Sequence, residues 1–564
     1  MSGIKTLLEG GHRYWLTRLV LQRGLALVYL IAFIAVIRQF KPLLGEHGLL
    51  PVPRFVEQVN FSQSPSLFFW WPKDFAFQLF GWIGIALSLF ALSGFSEKLG
   101  NLFSAAIWSL LWLIYLSFVN VGQTFYSFGW ETLLLEAGFL AIFLGGEETT
   151  PPFLTLLLFQ WLLFRLIFGA GLIKIRGDTC WRDLTCLKYH YETQPMPNPL
   201  SWYFHWLPEW IHKFGVLFNH FAELVVPFAY FAPMPVSAIA GAITLFFHGW
   251  LFASGNFAFL GFLTMVLAFS AIGDSWLKRV VPIQRPTLAP LGHIHSYVIL
   301  GLAAIVAALS FYPVANMLSR YQAMNASFGP LHLVNTYGAF GSITRPRYEV
   351  IVEGTDEASL TANTLWHEYE FVGKPGDVNG TPPQIAPYHL RLDWLMWFAA
   401  FSSPGEHPWF ISFLEKLLEG DKAVLGLLRY NPFPDGPPRF VRALLYEYHF
   451  TTPAERREAG AIWKRNFVRL YFPAVSVRNE GFGGVFLEHG RLGGAIGLLP
   501  HRSVGVAFPH KALRQGNPRR RAHDSSLRTP ALTHSAIRLR SIKHVRRDRA
   551  GANCPNARSR AGPE

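Results

Sequence analysis

The chain carries almost no net charge before its C-terminal tail. Its formal net charge is +14, and residues 491–564 hold 16 lysines and arginines against 3 acids. The preceding sequence therefore lacks the basic surface that nucleic-acid binding requires, and we predict no nucleic-acid partner. Composition changes abruptly after Val485 to an Arg-, Pro-, Ala- and His-rich stretch without apolar periodicity. We interpret 491–564 as a disordered or atypical tail, rather than as a basic arm built on Arg519–Arg521.

The fingerprints of common enzyme and transporter classes are also missing. No nucleophile elbow, P-loop or dinucleotide-binding motif occurs between a strand and a helix. Gly169-Ala170-Gly171 lies at the end of an apolar segment, where small residues allow close helix packing. The paired interrupted segments of an inverted-repeat transporter do not occur. We therefore predict no cofactor.

Long apolar runs dominate what is present. The chain is 51% apolar and 16% aromatic, and its runs lie before about residue 316. They predict a polytopic α-helical membrane bundle of about nine spans over residues 12–316. The nine segments are Leu19–Ile37, Phe75–Ser93, Leu99–Val119, Trp130–Leu144, Phe153–Ile173, Gly215–Phe231, Val236–Ala253, Phe257–Ile272 and Tyr297–Ala315. The first has no small-residue cleavage site after it, so we expect a signal anchor rather than a cleaved signal peptide.

Short loops predict the orientation of this bundle. Arg13, Arg18 and Arg23 precede or begin the first span, and the basic Lys278–Arg285 loop falls on the same side if there are nine spans. Because basic loops stay in the cytoplasm, the opposite side receives a 174–214 outer loop and the following domain. Over 317–476 the pattern predicts a soluble α+β or β-rich domain. Its expected strands are Tyr348–Val352, Phe371–Val372, Arg439–Thr451 and Phe467–Phe472, and its expected helices are Leu390–Phe401 and Trp409–Leu418.

The segment from Gly177 to His205 is the densest in unusual residues. Cys180 and Cys186 lie six apart, close enough for a disulfide if the backbone turns between them, and an oxidising outer compartment would preserve that bond. Two unpaired thiols are the alternative. The alternating Pro195, Pro197 and Pro199 exclude a helix directly after Thr193. Aromatic residues crowd this segment, which fits either interfacial anchoring or partner binding.

Several ionisable residues lie in or beside the apolar segments. They are Glu131, Glu136, Arg165, Lys174, His220, Glu223 and His248. A charge at bilayer depth costs at least about 2.5 kcal/mol, so each should face the interior and have a partner. One interpretation is a polar chamber for a substrate or partner, and the other is a set of ion pairs such as Glu131 or Glu136 with Arg165. His220 and Glu223 have the spacing of a metal-ligand pair, but two ligands do not make a site, and we predict no metal.

Long motifs resemble the lipase maturation factor family. They are the Gly177–His205 segment, the stretch from Phe164 to Lys174, and the motifs Asn335–Gly341, Arg345–Glu349, Trp366–Tyr369, Pro387–Trp397 and Ala443–Tyr446. The resemblance covers about residues 12–476. It implies a multi-pass protein of the endoplasmic reticulum membrane, or of the inner membrane in a bacterium, that helps secreted homodimeric lipases fold and assemble without being a lipase.

Two functions remain open from the sequence. In the first, a chaperone-like maturation factor binds a secreted lipase-like client through the outer loop and the soluble domain while it lies in the lipid bilayer. The client-binding residues predicted on this hypothesis are Trp181, Tyr189, Tyr191, Trp202 and Trp394. The alternative rests on a distant likeness of the membrane half to the carboxylase-type multi-span fold, and is a membrane-embedded enzyme acting on a lipid or a quinone. A chamber of converging ionisable groups favours the enzyme, and a closed, ion-paired core favours the scaffold.

Overall fold

A computed structural model describes residues 10–476 and 486–487. The predictions about the 491–564 tail lie outside these residues. In chain order, the helices of the first 318 residues are α1 (Trp15–Leu44), α2 (Val52–Gln58), α3 (Asp74–Ser93), α4 (Phe95–Lys98), α5 (Asn101–Val121), α6 (Gly129–Ala141), α7 (Phe153–Arg176), α8 (Thr179–Arg182), α9 (Leu187–Thr193), α10 (Ser201–His205), α11 (Glu209–Leu224), α12 (Val236–Ser254), α13 (Leu260–Ala268), α14 (Asp274–Leu277), α15 (His293–Leu309) and α16 (Phe311–Leu318).

Length and composition identify the membrane-crossing helices. Within the described residues, seven helical segments are long and apolar enough to cross a membrane, namely α1, α3, α5, α7, Glu209–Phe231, α12 and His293–Leu318. The protein is therefore a multi-pass membrane protein. The other two predicted segments form α6 and α13, of 13 and 9 residues. At about 1.5 Å per residue, these two helices are shorter than the hydrocarbon layer.

The short helices nevertheless run between the same two ends of the bundle as the long ones. At the first end, the backbone N–H of Trp15 donates to Asp274, and Arg18 donates to the carbonyl of Thr149. At the second end, Gln39 donates to the carbonyl of His389, and the Asn256 side chain donates to the carbonyl of Pro197. Since α6 and α13 each start at the second end and lead to the first, the nine predicted segments alternate in direction.

A second set of elements forms the C-terminal domain. Its helices are α17 (Arg391–Ala399), α18 (Pro408–Glu419), α19 (Lys422–Leu425) and α20 (Pro453–Ala459), and its strands are β1 (Arg347–Thr355), β2 (His367–Glu368), β3 (Phe440–Phe450), β4 (Trp463–Ser476) and β5 (Phe486–Leu487). The strands form one antiparallel sheet in the order β2-β1-β3-β4-β5. The α+β prediction is thereby confirmed.

One predicted strand is wrong. Phe371–Val372 lies in a loop, because the next two backbone N–H groups, of Gly373 and Lys374, donate to the carboxylate of Asp393 instead of to a neighbouring strand. The ring of Phe371 packs 5.8 Å from that of Phe413 on α18. The apolar character of Phe371–Val372 therefore reflects burial under a helix. From the sequence, a short apolar run buried in a loop looks the same as a short buried strand.

The core is continuous from the bundle into the C-terminal domain. One face of α18 is buried, and its Trp409 ring contacts Phe125 of the bundle at 6.1 Å. One cluster contains buried apolar side chains from α1, α5, α6, α7, α17, α18, β1 and β3. The soluble domain is thus packed on the second end of the bundle and is not tethered by a free linker.

Candidate functional site

The loop from Gly177 to His205 lies between the bundle and the C-terminal domain. It begins where α7 meets the family-like motif 335–341, with the N–H of Asp178 donating to the carbonyl of Gly341 at 2.8 Å. A side chain at Gly177 would clash there, because an added Cβ would lie 2.2 Å from that oxygen. Asp178 then caps α8 by accepting from the N–H of Cys180, while the Arg345 guanidinium holds its carboxylate at 2.9 and 3.0 Å. Both contacts lower the pKa of Asp178 against the opposing effect of burial.

The two cysteines of this loop are bonded to each other. Cys180 and Cys186 form a disulfide with their Cα atoms 4.8 Å apart, and both are buried beside Trp181 and Val216. The bond fixes a turn against the middle of α11, at Val216.

Replacing Cys180 and Cys186 together by serine is expected to lower the free energy of unfolding by roughly 2–3 kcal/mol, because the unfolded chain gains the entropy of a small open loop. Thermal unfolding in detergent measures the loss, and alkylation without reductant followed by mass spectrometry measures the bond. Cys554→Ser is the control. Two alkylated residues at positions 180 and 186 in the folded wild type would contradict the pairing.

The five aromatic residues predicted to bind a client lie in different environments. Trp181, Tyr191 and Trp394 are buried, and only Tyr189 and Trp202 are half-exposed. The Trp181 indole donates to the carbonyl of Phe340, and the Trp394 ring packs 4.9 Å from Trp130 of α6. Trp181 and Trp394 therefore join the bundle to the C-terminal domain, and Tyr191 packs on Phe204 of the loop and His212 of α11, so none of the three buried rings faces solvent.

Glu131 of α6 holds the C-terminal domain from within the bundle. Arg391 donates to its carboxylate at 2.6 Å, Tyr115 of α5 donates to its other oxygen, and both charged side chains are fully buried. Arg391 also donates to the carbonyl of Phe125, and its guanidinium lies 3.4 Å from the centroid of the Tyr126 ring. The sequence could not identify this partner, because 260 residues separate the two charges.

Glu136, one and a half turns along α6, holds a second segment of the domain. Arg165 of α7 is its ion-pair partner, as one of the two predicted pairings required. The same carboxylate accepts from the N–H and the side-chain amide of Asn335 at 3.0 and 3.1 Å and from the Tyr337 hydroxyl at 2.7 Å. Arg165 in turn donates to the carbonyl of Asn335 at 2.6 Å.

The remaining predicted polar residues of the membrane half lie in two places: Lys174, His220 and Glu223 lie near Trp181, and His248 lies in α12. Lys174 donates to Glu223 at 2.6 Å and to Asn219 at 3.0 Å, and its ammonium lies 5.1 Å from the Trp181 ring. His220 contacts the carbonyl of Trp181 at 2.9 Å, so it and Glu223 have different partners. Among the described residues, no hydrogen-bond partner lies beside either ring nitrogen of His248, which is buried in α12.

Arg347 forms a further junction that the sequence analysis missed. At the start of β1 it donates to the carbonyls of Glu192, Gln194 and Pro195 in the loop and pairs with Glu349 at 2.6 Å. Lys374 pairs with the other Glu349 oxygen at 2.9 Å. Helix α9 ends at Thr193 and the proline-rich part of the loop that follows is not helical, as predicted, so its carbonyls are available to one guanidinium. The motif Arg345–Glu349 contained this signal, but its partners lie far away in sequence.

Two protein-family models match this chain, one over the bundle and one over the C-terminal domain. The model described as lipase maturation factor transmembrane domain matches residues 16–279, and that described as lipase maturation factor C-terminal domain matches residues 333–473. The chain belongs to the lipase maturation factor family. It is 42% identical to lipase maturation factor 1 of Homo sapiens over 509 residues, which cover 82% of this chain and 88% of that protein.

Two further lipase maturation factors show the range of the similarity. Lipase maturation factor 1 of Bos taurus is 43% identical over 508 residues, covering 82% of this chain and 89% of its own. Lipase maturation factor 2 of Xenopus tropicalis is 29% identical over 603 residues, covering 83% of each chain. No solved structure matches the chain. The family-like motifs 335–341 and 387–397 are the segments that bind Glu136 and Glu131 in this lipase maturation factor.

Buried histidines should make its stability depend on pH. Burial lowers the pKa of His190 to about 3 and of His205, His332 and His389 to about 4. A buried neutral histidine binds fewer protons than the unfolded chain does, so stability is lost as pH falls from about 6.5 towards 4. Asp393 opposes this trend, because burial raises its pKa to about 6 and stability is lost as pH rises from about 4 to 6.

Burial also raises the pKa of Glu192 and Glu353, which therefore act in the same direction as Asp393. The four histidines together outweigh these carboxyls, so acidification from pH 7.4 to 5 is expected to lower the melting temperature, by roughly 5 °C or more. Asp393→Asn keeps an oxygen for the N–H groups of Gly373 and Lys374 but removes the opposing titration. Its melting temperature should therefore fall more steeply over the same range. A scan of thermal unfolding against pH measures both, and a shallower dependence in Asp393→Asn would contradict the assignment.

Proposed function

We propose that this protein is a membrane-bound maturation factor that assists the folding and assembly of secreted lipases or similar secreted clients in a chaperone-like way. The names of its relatives support the client class. The observation that carries the proposal is the docking of the C-terminal domain on the second end of the bundle by Glu131 and Glu136. These pairs fix a rigid platform beside the membrane, where newly secreted chains emerge with apolar surface still exposed.

The distribution of basic residues supports the membrane orientation that this function needs. Arg18, Arg23 and Lys98 lie at the first end of the bundle, with Arg285 contacting the carbonyl of His12 there. Basic residues favour the cytoplasm, so the second end with its disulfide faces the endoplasmic reticulum lumen, or the periplasm in a bacterium. The C-terminal domain then meets secreted proteins directly.

The client surface is best placed on the outer edge of β4. Phe467 is 61% exposed, and Val468 and Leu470 beside it are exposed as well. In the described part of the chain, β5 pairs with β4 only at Val475 and Ser476, so the rest of this edge has no strand beside it. An extended apolar segment of an unfolded lipase can add to such an edge by backbone hydrogen bonds. The buried Trp181, Tyr191 and Trp394 then support the platform, and Tyr189 and Trp202 lie at its margin.

Replacing Phe467 and Leu470 together by serine is expected to reduce secreted lipase activity about tenfold or more, since truncating anchor side chains commonly costs about 2 kcal/mol. The assay co-expresses a lipase in cells lacking their own lipase maturation factor, with variant abundance measured alongside. Leu365→Ser, at an exposed apolar residue elsewhere in the domain, is the matched control. Equal activity of the double variant and the control at equal abundance would contradict the β4 surface.

The same assay separates a scaffold from membrane-embedded chemistry. Glu223→Gln alone would leave the Lys174 ammonium buried without its counter-charge, so loss of activity would only report misfolding. The double variant Lys174→Met/Glu223→Gln removes both charges and should retain lipase maturation at normal abundance. Abolished activity in the folded double variant would instead favour an acid–base role for Glu223.

A further inference from the structure

An exposed apolar stripe runs along α11, a helix that crosses the membrane. Its large residues Trp210, Phe214, Leu217 and Phe221 follow each other at intervals of three and four, which places them on one face, and Trp210 is 70% exposed. In a multi-pass membrane protein such a face contacts lipid. Because α11 begins at Glu209 beside the C-terminal domain, Trp210 marks the level at which the hydrocarbon layer ends.

Aromatic residues of α10 and its C-terminal end continue this stripe beyond the membrane helix. Tyr203 is 54% exposed, and the Trp206 ring is exposed beside it. The indole N–H groups of Trp202 and Trp206 both donate to the carbonyl of Thr451, at 2.8 and 3.0 Å. Thr451 directly follows β3, so these two hydrogen bonds fix α10 beside the end of the sheet, at the same level relative to the membrane.

One arginine of α20 lies against these rings, and a second follows it in the sequence. The Arg456 guanidinium is 4.3 Å from the Trp202 ring centroid and 5.2 Å from that of Tyr203. Arg457, the next residue, is exposed, and its Nε donates to the carbonyl of Pro453. Of the two acids in α20, Glu455 is occupied by Lys464 at 2.8 and 3.1 Å, and Glu458 is exposed beside the arginines.

We propose that Trp202, Tyr203, Trp206, Arg456 and Arg457 form a headgroup site, through which the C-terminal domain contacts the outer leaflet and binds phospholipid phosphate. Tyrosine and tryptophan prefer the headgroup layer, because their rings have an apolar part that contacts the acyl chains and a polar group that contacts water. A guanidinium presents a planar fork of donors that matches a phosphate, and stacking on aromatic rings leaves that fork free. The continuity with the lipid-facing stripe of α11 selects a membrane lipid over a protein as the occupant.

The full-length protein in lipid nanodiscs provides the test. A nitroxide spin label at position 203 (Tyr203→Cys in a Cys554→Ser background) is compared with one at Arg439→Cys, which directly precedes β3 and so lies beyond the end of that strand opposite Thr451. Relative collision rates with oxygen and with a water-soluble nickel complex report depth. We expect position 203 in the headgroup layer and position 439 in water.

Lipid recognition is tested separately with spin-labelled phosphatidylglycerol in phosphatidylcholine nanodiscs. Because basic residues near an anionic surface are attracted to it, Arg456→Gln/Arg457→Gln should weaken the preference for phosphatidylglycerol roughly tenfold or more. Arg439→Gln/Arg469→Gln is the matched control and should leave the preference unchanged. An aqueous label at position 203, or an undiminished preference in folded Arg456→Gln/Arg457→Gln, would overturn the proposal. A label at position 203 that becomes shielded only when a secreted lipase is added would overturn it in favour of a protein partner.

Discussion

Replacing Arg391 by methionine is expected to prevent accumulation of the folded protein. The substitution leaves the Glu131 carboxylate fully buried with only Tyr115 and His389 beside it. Removing one partner of a buried pair costs about 3–5 kcal/mol, because the remaining charge is uncompensated. That loss is a large share of the 5–15 kcal/mol that typically separates folded from unfolded protein. Size-exclusion chromatography and thermal unfolding of detergent-solubilised protein measure it.

The double variant Glu131→Gln/Arg391→Met distinguishes lost pairing from lost packing. Without either charge, the site contains only neutral groups, and we expect much of the stability to return. Arg439→Met, at an exposed arginine of the same domain, should unfold like the wild type. If Arg391→Met were as stable as the wild type, Glu131 would not hold the domain, and the platform on which the proposed function depends would lose its main support.

Local patterns were sufficient to predict the architecture. Seven of the nine apolar segments are long helices, and β1, β3, β4, α17 and α18 lie where alternation or helical spacing placed them. These features depend on residues within about twenty positions of each other, and periodicity reports them directly. The ion pair of Arg165 with Glu136 was also within reach, because both lie in apolar segments where an unpaired charge is costly.

The arrangement at the domain junction could not be predicted in the same way. Trp394 and Arg391 lie three residues apart in a motif whose pattern is typical of an exposed, partner-binding face of a helix. That face is in fact buried against α6, where Trp394 packs on Trp130 and Arg391 pairs with Glu131. An internal docking face and an external binding face have the same composition, aromatic with a few charges, so sequence alone does not separate them. The same reasoning explains why Trp181 and Tyr191 lie inside.

Replacing Glu136 by leucine is expected to release the segment around Asn335 from the bundle. Glu136 accepts from Arg165, from both nitrogen groups of Asn335 and from the Tyr337 hydroxyl. Its loss therefore leaves the buried Arg165 guanidinium without its counter-charge and removes the acceptor of the Asn335 backbone N–H and the Tyr337 hydroxyl. A cost of about 3 kcal/mol or more corresponds to an increase of roughly a hundredfold in local opening. Hydrogen exchange of the amides in 335–338, followed by mass spectrometry, measures that opening.

The comparison within one experiment makes the result specific. Amides of β1 and β3 belong to the sheet of the same domain, and their exchange should change far less than that of 335–338, because the sheet does not contact Glu136. Glu136→Leu/Arg165→Met removes the uncompensated guanidinium and should restore part of the protection, but not the hydrogen bonds of Asn335 and Tyr337. Uniform acceleration across the domain would mean that Glu136 supports global folding only. Unchanged exchange at 335–338 would show that the domain remains attached without Glu136, and that the Arg391 pair and the Arg347 contacts are sufficient to hold the platform.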